Sequence, residues 1–267
     1  VNDIAEEIVR LYGYENLACT LPKVEIKQGE YKGDVKYRKI IASRLRALGL
    51  TETRTYTLTS PSMASTFNYE GKTHLNLPNP MSIDKSVLRT SLIPSMLNVY
   101  NYNKARKVDN MYLYEISKTY DVNYKEESKI AILMKGNYII NEATKVNVKC
   151  DFYLIKGIVE NLLDYLGFNG RYHFVKSEID NMHPKRSAKI YLNDTFLGII
   201  GEVHPSLCKD EIYTAEISLN KLMQEIKPLK YVGASIYPEI VKDVAFVVDK
   251  SLPVEEIMNE IRISGKD

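Results

Sequence analysis

Asp3, Glu6 and Glu7 stand at i, i+3 and i+4, so on a helix their carboxylates share one face. Such a set suits Mg²⁺, which takes oxygen ligands and keeps several of its waters. It equally suits the first turn of a helix, where acidic side chains complement the macrodipole. The histidines are His74, His173, His183 and His204, and two of them precede proline, in His183-Pro184 and His204-Pro205. Proline holds the residue before it extended, which places both pairs at strand ends. A self-contained enzyme would need His183 and His204 to converge with a carboxylate such as Glu202. No Gly-x-x-x-x-Gly-Lys-Ser/Thr and no Gly-x-Gly-x-x-Gly opens a helix, so the usual phosphate loops are absent from the sequence. Gly198-Ile-Ile-Gly201 is strand-like and reads as a tight packing site. Asn101–Lys107 mixes bases with Tyr102; it reads as a solvated helix end or, alternatively, as the contact of a stand-alone RNA-binding module.

The elements that position these residues follow from periodicity. Helical spacing predicts a helix over Asp3–Tyr12 with Gly13 as a left-handed stop, and others over Val35–Leu48, Ile93–Ala105 and Cys150–Leu166. Strands are predicted at Thr51–Leu58, Met111–Ile116, Lys129–Met134 and Tyr213–Ser218. A hairpin of Ala188–Tyr191 with Phe196–Val203 turns at Asn193-Asp194. Beyond Tyr237-Pro238, a strand over Lys242–Val248 and a helix over Pro253–Ile263, with Pro253 its first residue, make one β-α unit too small to fold alone. Strands adjacent in sequence with helices between groups of them suit an α+β fold on a largely antiparallel sheet.

Composition bounds the rest. The 267 residues, 45% hydrophobic and 26% charged, carry a net charge of +2. That balance excludes a disordered tail and a globally basic nucleic-acid binder. Apolar runs such as Val244–Val248 are too short to span a bilayer, and no secretory signal follows Val1. Cys19, Cys150 and Cys208 are odd in number and far apart, which suggests neither a disulfide framework nor a zinc cluster. A cytoplasmic chain is expected. Both ends read as cuts through helical patterns, as in a piece of a longer protein.

Several segments together resemble one family, the β subunit of bacterial-type phenylalanine–tRNA ligase. Asp3–Asn16 is similar to the end of its DNA-binding-like domain. Asn79-Pro-Met-Ser82 with Leu88-Arg-Thr-Ser-Leu92 is similar to its Asn-Pro-x-Ser…Leu-Arg-Thr-Ser-Leu segment. Leu113–Ile116, Asp151–Gly157, His183–Ala188 and Gly198–Pro205 follow in the family's order, and Tyr237–Phe246 resembles the entry to its anticodon-binding domain. The resemblance implies residues 1–27 as the end of the DNA-binding-like (B5) domain plus linker. Residues 28–232 are then a catalytic-like module on a class II aminoacyl-tRNA-synthetase antiparallel sheet flanked by helices. Residues 233–267 are the start of a ferredoxin-like anticodon-binding domain.

The same resemblance implies an ATP-dependent ligase for phenylalanine and its tRNA, an (αβ)₂ heterotetramer with the active site on the α subunit. This segment alone would be inactive. A class II site uses an Arg on its second motif's strand, yet Tyr112–Tyr120 contains none. Its third motif uses a Gly-rich strand and an Arg over the nucleotide, yet Thr214–Leu222 has no Gly and carries Lys221 at the Arg position. Lys lacks the planar fork of Arg, and side chains in place of glycines crowd a nucleotide. Finally, Asp3, Glu6 and Glu7 fall on three of four carboxylate positions of the family's Mg²⁺ site near the α subunit; the fourth lies upstream of Val1.

Overall fold

A computed structural model describes residues 1–227, 233, 237–238 and 240–265, in two units that divide after Lys227. In the first unit the chain runs α1 (Asn2–Tyr12), α2 (Gly33–Ala47), β1 (Thr51–Glu52), β2 (Leu58–Thr59), α3 (Pro61–Ser65) and β3 (Val87–Leu88). It continues through α4 (Ile93–Lys104), β4 (Met111–Tyr120), β5 (Glu126–Lys135), β6 (Asn137–Asn141), β7 (Val146–Lys149) and α5 (Phe152–Tyr165). β8 (Tyr172–Lys176), β9 (Met182–Leu192), β10 (Thr195–Val203), β11 (Tyr213–Ser218) and α6 (Leu219–Glu225) complete it. The second unit holds α7 (Val254–Ser264).

Seven strands form one sheet in the order β1-β4-β5-β11-β10-β9-β8. Every neighbouring pair is antiparallel except β1 with β4, which are parallel. This is the antiparallel α+β sheet expected from the strand spacing. Alternation along each strand sorts its side chains between two faces. On one face, Ile130, Ile132 and Met134 of β5 and Ala215 and Ile217 of β11 pack with Ile41 and Leu45 of α2 and Ile155, Val159 and Leu162 of α5. Each of the isoleucine, leucine, valine and methionine side chains contributes about 1.5–3 kcal/mol by leaving water. Asp151 caps α5 by accepting the Leu154 N–H at 2.7 Å. On the opposite face, Ala131, Leu133 and Ile199 pack with Phe67 and with Leu92, Ile93 and Met96 at the start of α4.

Four local expectations need correction. Thr51–Leu58 is not one strand, because residues 53–57 leave the ladder. Thr55 bonds the Glu115 carboxylate through its hydroxyl at 2.7 Å, and the Arg89 N–H meets the Thr57 carbonyl. Lys242–Val248 forms no strand: it has no neighbouring strand among the described residues, and Val244, Phe246 and Val247 are exposed. Pro253 is the extended cap of α7, not its first residue (φ −63°, ψ 137°). Gly13 stops α1 at φ 95° and ψ 123°, a positive φ but not the left-handed helical well. The strand-like reading of Gly198–Gly201 is sharper in three dimensions. A Cβ at Gly198 would lie 1.9 Å from the Glu216 carbonyl oxygen, so β10 approaches β11 closer there than any side chain permits.

Candidate functional site

The sheet face over which α4 begins carries a cluster of charges at its other end. β5 contributes Glu127 and Lys129, and β11 contributes Glu216 and Ser218, all on the α4 side of the alternation. Tyr69, Glu70 and Lys72 come from the segment after α3, and Lys221 from the first turn of α6. The Lys129 ammonium is 1% exposed and reaches Glu70 at 2.7 Å, the Tyr69 hydroxyl at 2.9 Å and Glu216 at 3.2 Å. Lys72 bridges Glu70, at 2.9 Å, to Glu127, and Ser218 donates to Glu127. Lys221 lies 3.5 Å from Glu70 and over the Phe196 ring. Among the described residues no buried side-chain polar atom lacks a partner.

These contacts set the protonation states. Burial alone would lower the Lys129 ammonium, but Glu216, Tyr69 and Glu70 around it raise it well above its ordinary value. Burial pushes the Tyr69 hydroxyl up, with Glu216 adding to it, so it stays a donor. Burial would also raise the Glu70 carboxyl; the Lys129 charge, with hydrogen bonds from Lys129 and Lys72, instead holds it at about 2. Glu127 is lowered too, the charge of Lys129 and bonds from Lys72 and Ser218 outweighing burial.

A carboxylate depressed on folding stabilises the fold fully above its unfolded value and loses that contribution as pH falls through the folded one. For Glu70 the window runs from 4.5 down to about 2. The loss across it is on the order of 3 kcal/mol. Denaturant midpoints measured from pH 5 to pH 2 should therefore fall more steeply for the natural chain than for Glu70→Gln; parallel curves would contradict the assignment.

Beside this network, Arg89 and Glu115 form a second buried pair, each 1% exposed. Arg89 Nη1 lies 3.1 Å from Glu115 and 2.6 Å from the Thr55 hydroxyl; Nη2 meets Ser117 at 2.6 Å, and Nε donates to the Lys118 carbonyl at 3.1 Å. One residue on, the Thr90 hydroxyl donates to the Ala64 carbonyl at 2.8 Å. The Leu88–Leu92 segment thus fastens the cover over the sheet to β4 and β11.

The residues nominated from the sequence behave differently. Lys221 is turned to Glu70. Asp3, Glu6 and Glu7 sit on exposed α1, where Glu7 is bonded by Arg10 at 2.6 Å. Among the described residues no three or more His, Cys, Asp or Glu side chains gather as a metal site. His183 Nδ1 accepts the Lys185 N–H at 3.1 Å, His204 Nδ1 meets the Ser206 hydroxyl at 2.7 Å, and Glu202 is held by Arg186 at 2.6 Å. Each is engaged locally. In Asn101–Lys107, Lys104 pairs with Asp210 at 2.9 Å and Arg106 stacks on Tyr102.

Sequence reasoning missed the network itself. A signal was present, since Lys129 heads the apolar run Ile130–Met134 and Glu216 stands between Ala215 and Ile217, where a charge on a buried strand must find a partner.

The order and sense of these strands define the class of fold. The chain is similar to the pyrrolysyl-tRNA synthetase PylSc of Desulfitobacterium hafniense, with a TM-score of 0.53 over 73% of this chain and 71% of that one, at 13% identity. This is the class II aminoacyl-tRNA-synthetase sheet. Residues 17–219 match the family described as the phenylalanyl-tRNA synthetase beta chain CLM domain, and the chain belongs to that family. Curated relatives named phenylalanine–tRNA ligase beta subunit include that of Geobacillus kaustophilus, 35% identical over 99% of this chain, and that of Bacillus subtilis, 35% identical over 98%. The chain spans about a third of their length, 34% in each case. No helix among the described residues is long and apolar enough to cross a membrane.

Proposed function

We propose that this chain is a non-catalytic core module of a cytoplasmic phenylalanine–tRNA ligase β subunit. Its role is to support a catalytic α subunit in an (αβ)₂ heterotetramer that attaches phenylalanine to its tRNA with ATP. One observation supports the reading: the sheet face beside Lys221, the residue that the resemblance sets at the place of a nucleotide-binding Arg, is occupied by Glu70, Lys72, Glu127, Lys129 and Glu216, which satisfy one another. Residues 28–232 act as the class II-like core, 1–27 as the end of the B5 domain with its linker, and 233–267 as the start of the anticodon-binding domain. The upper limit of the core falls within 228–232, outside the described residues.

In the assembled protein, Asp3, Glu6 and Glu7 contribute to a Mg²⁺ site that groups from outside this chain complete. Three near-neighbour carboxylates repel one another, which a cation relieves. Arg10 relieves part of that repulsion here. Replacing Glu6 and Glu7 together with Gln in the full-length β subunit removes two charges and keeps size. Mg²⁺ affinity and association with the α subunit should then fall together, by about tenfold or more for the metal. Unchanged metal content and unchanged co-purification would leave the acidic face as a helix start only.

A further inference from the structure

Between α2 and the edge of the sheet lies a groove of about 620 Å³, apart from the charged network. Val35, Arg38, Lys39, Ala42 and Arg46 line one wall, at positions i, i+3, i+4, i+7 and i+11 on one face of α2. Glu52 of β1, Arg54 just beyond it, and Glu115 and Ile116 of β4 line the other. The charges do not balance. Arg38 is matched by Asp34 at 2.8 Å, and Glu115 is claimed by the buried Arg89. Arg46 and Arg54 share one carboxylate, Glu52, at 3.8 and 3.5 Å. Lys39 lies over the Tyr31 ring and has no carboxylate partner among the described residues. Lys39, Arg46 and Arg54 are all exposed, so the excess positive charge faces outward. Through Arg54 the groove continues into a cleft of about 380 Å³ between the segment after β1 and α4. Tyr56 and Tyr102 on its rim are 75% and 59% exposed. Tyrosines and arginines are the side chains that most often anchor protein interfaces.

We infer that this groove docks a carboxylate-bearing segment of the α subunit, whose Asp or Glu side chains pair with Lys39, Arg46 and Arg54. That the partner is the α subunit rests on the function proposed above; the chemistry of what fits rests on the groove. An RNA strand fits it less well. Carboxylates line both clefts, Glu52 in the first and Asp84 in the second, and they repel phosphates. Val35, Ala42 and Ile116 add apolar surface that a phosphate backbone does not use. A protein segment with acidic residues set among apolar ones complements both features.

The test is carbodiimide coupling of the full-length β subunit assembled with its α subunit, which joins an amine to a carboxylate in contact with it. Mass spectrometry of the peptides should find Lys39 joined to an Asp or Glu of the α subunit. Lys39→Arg should lose that link while the subunits still co-purify. Lys39→Glu combined with Arg54→Glu should weaken association about tenfold or more at about 0.1 M salt and flatten its salt dependence. Both positions are exposed, and a melting temperature close to that of the natural chain checks that the double variant is folded. Lys125→Glu, an exposed charge outside the groove, should leave association unchanged. Natural subunits that do not co-purify would remove the function proposed above, and this inference with it. Co-purification without a Lys39 link, or a double variant that associates as the natural chain does, would overturn the inference alone. A double variant whose only loss is salt-sensitive tRNA binding would also overturn it, and would assign the groove to RNA.

Discussion

Lys129→Met is expected to cost the fold about 3–5 kcal/mol, because it removes the cation from a buried set of carboxylates and leaves them uncompensated. The methionine is close to lysine in length, so packing changes little and the effect is electrostatic. Glu216 loses the Lys129 ammonium, and Glu70 keeps Lys72 and the more distant Lys221. Chemical denaturation reads the loss directly. Two comparisons separate it from a general effect of losing lysine. Lys118→Met removes a surface pair with Glu126, in which both side chains are about half exposed, and should change stability by less than about 1 kcal/mol. Combining Lys129→Met with Glu216→Gln should recover part of the loss, since the buried negative charge goes with its partner. A Lys129→Met chain as stable as the natural one would mean that these carboxylates are not charged in the fold.

Arg89→Ala should be equally severe, about 3–5 kcal/mol, for a related reason. It strands Glu115 at 1% exposure and leaves Ser117 and the Lys118 carbonyl without their donor. Its position adds a second readout. Tyr120 donates its N–H to the Arg89 carbonyl, and the Arg89 N–H meets Thr57, so the residue pins the 53–59 segment against β4. Hydrogen exchange should accelerate at Thr53, Thr55 and Tyr120 well before it does in β5 or β11. Arg89→Lys should recover little, because a point charge cannot reach the hydroxyls of Thr55 and Ser117 and the Lys118 carbonyl together. Uniform exchange, or a variant within about 1 kcal/mol of the natural chain, would show that the clasp is dispensable.

What the sequence made legible were elements whose signal is local. The α5 stripe of Ile155, Val159, Leu162 and Leu163, with Asp151 before it, carries both a helical face and a cap. The turn at Asn193-Asp194, where Asn193 takes φ 50°, marks its hairpin. Membership of the phenylalanyl-tRNA synthetase beta chain family was legible through short motifs in order. The β6–β7 hairpin was not, since Asn137–Asn141 and Val146–Lys149 pair only with each other and lie half-exposed. Thr51–Leu58 alternates like a strand, but Thr55 is claimed by Glu115, 60 residues away. The buried network was hidden for the same reason: Lys129 finds Glu70 at a separation of 59 residues and Glu216 at 87. A charge on a buried strand needs a partner, and only the fold says which.

A class II-like sheet whose charged end satisfies itself and which serves as a scaffold activates no amino acid by itself. Phenylalanine-dependent exchange of pyrophosphate into ATP tests it most directly, with the purified chain and with full-length β subunit assembled with its α subunit. Background exchange is expected from the chain alone at any Mg²⁺ concentration, and phenylalanine-dependent exchange from the assembly. Phenylalanine-dependent exchange by the chain alone, lost in Lys221→Ala, would contradict it.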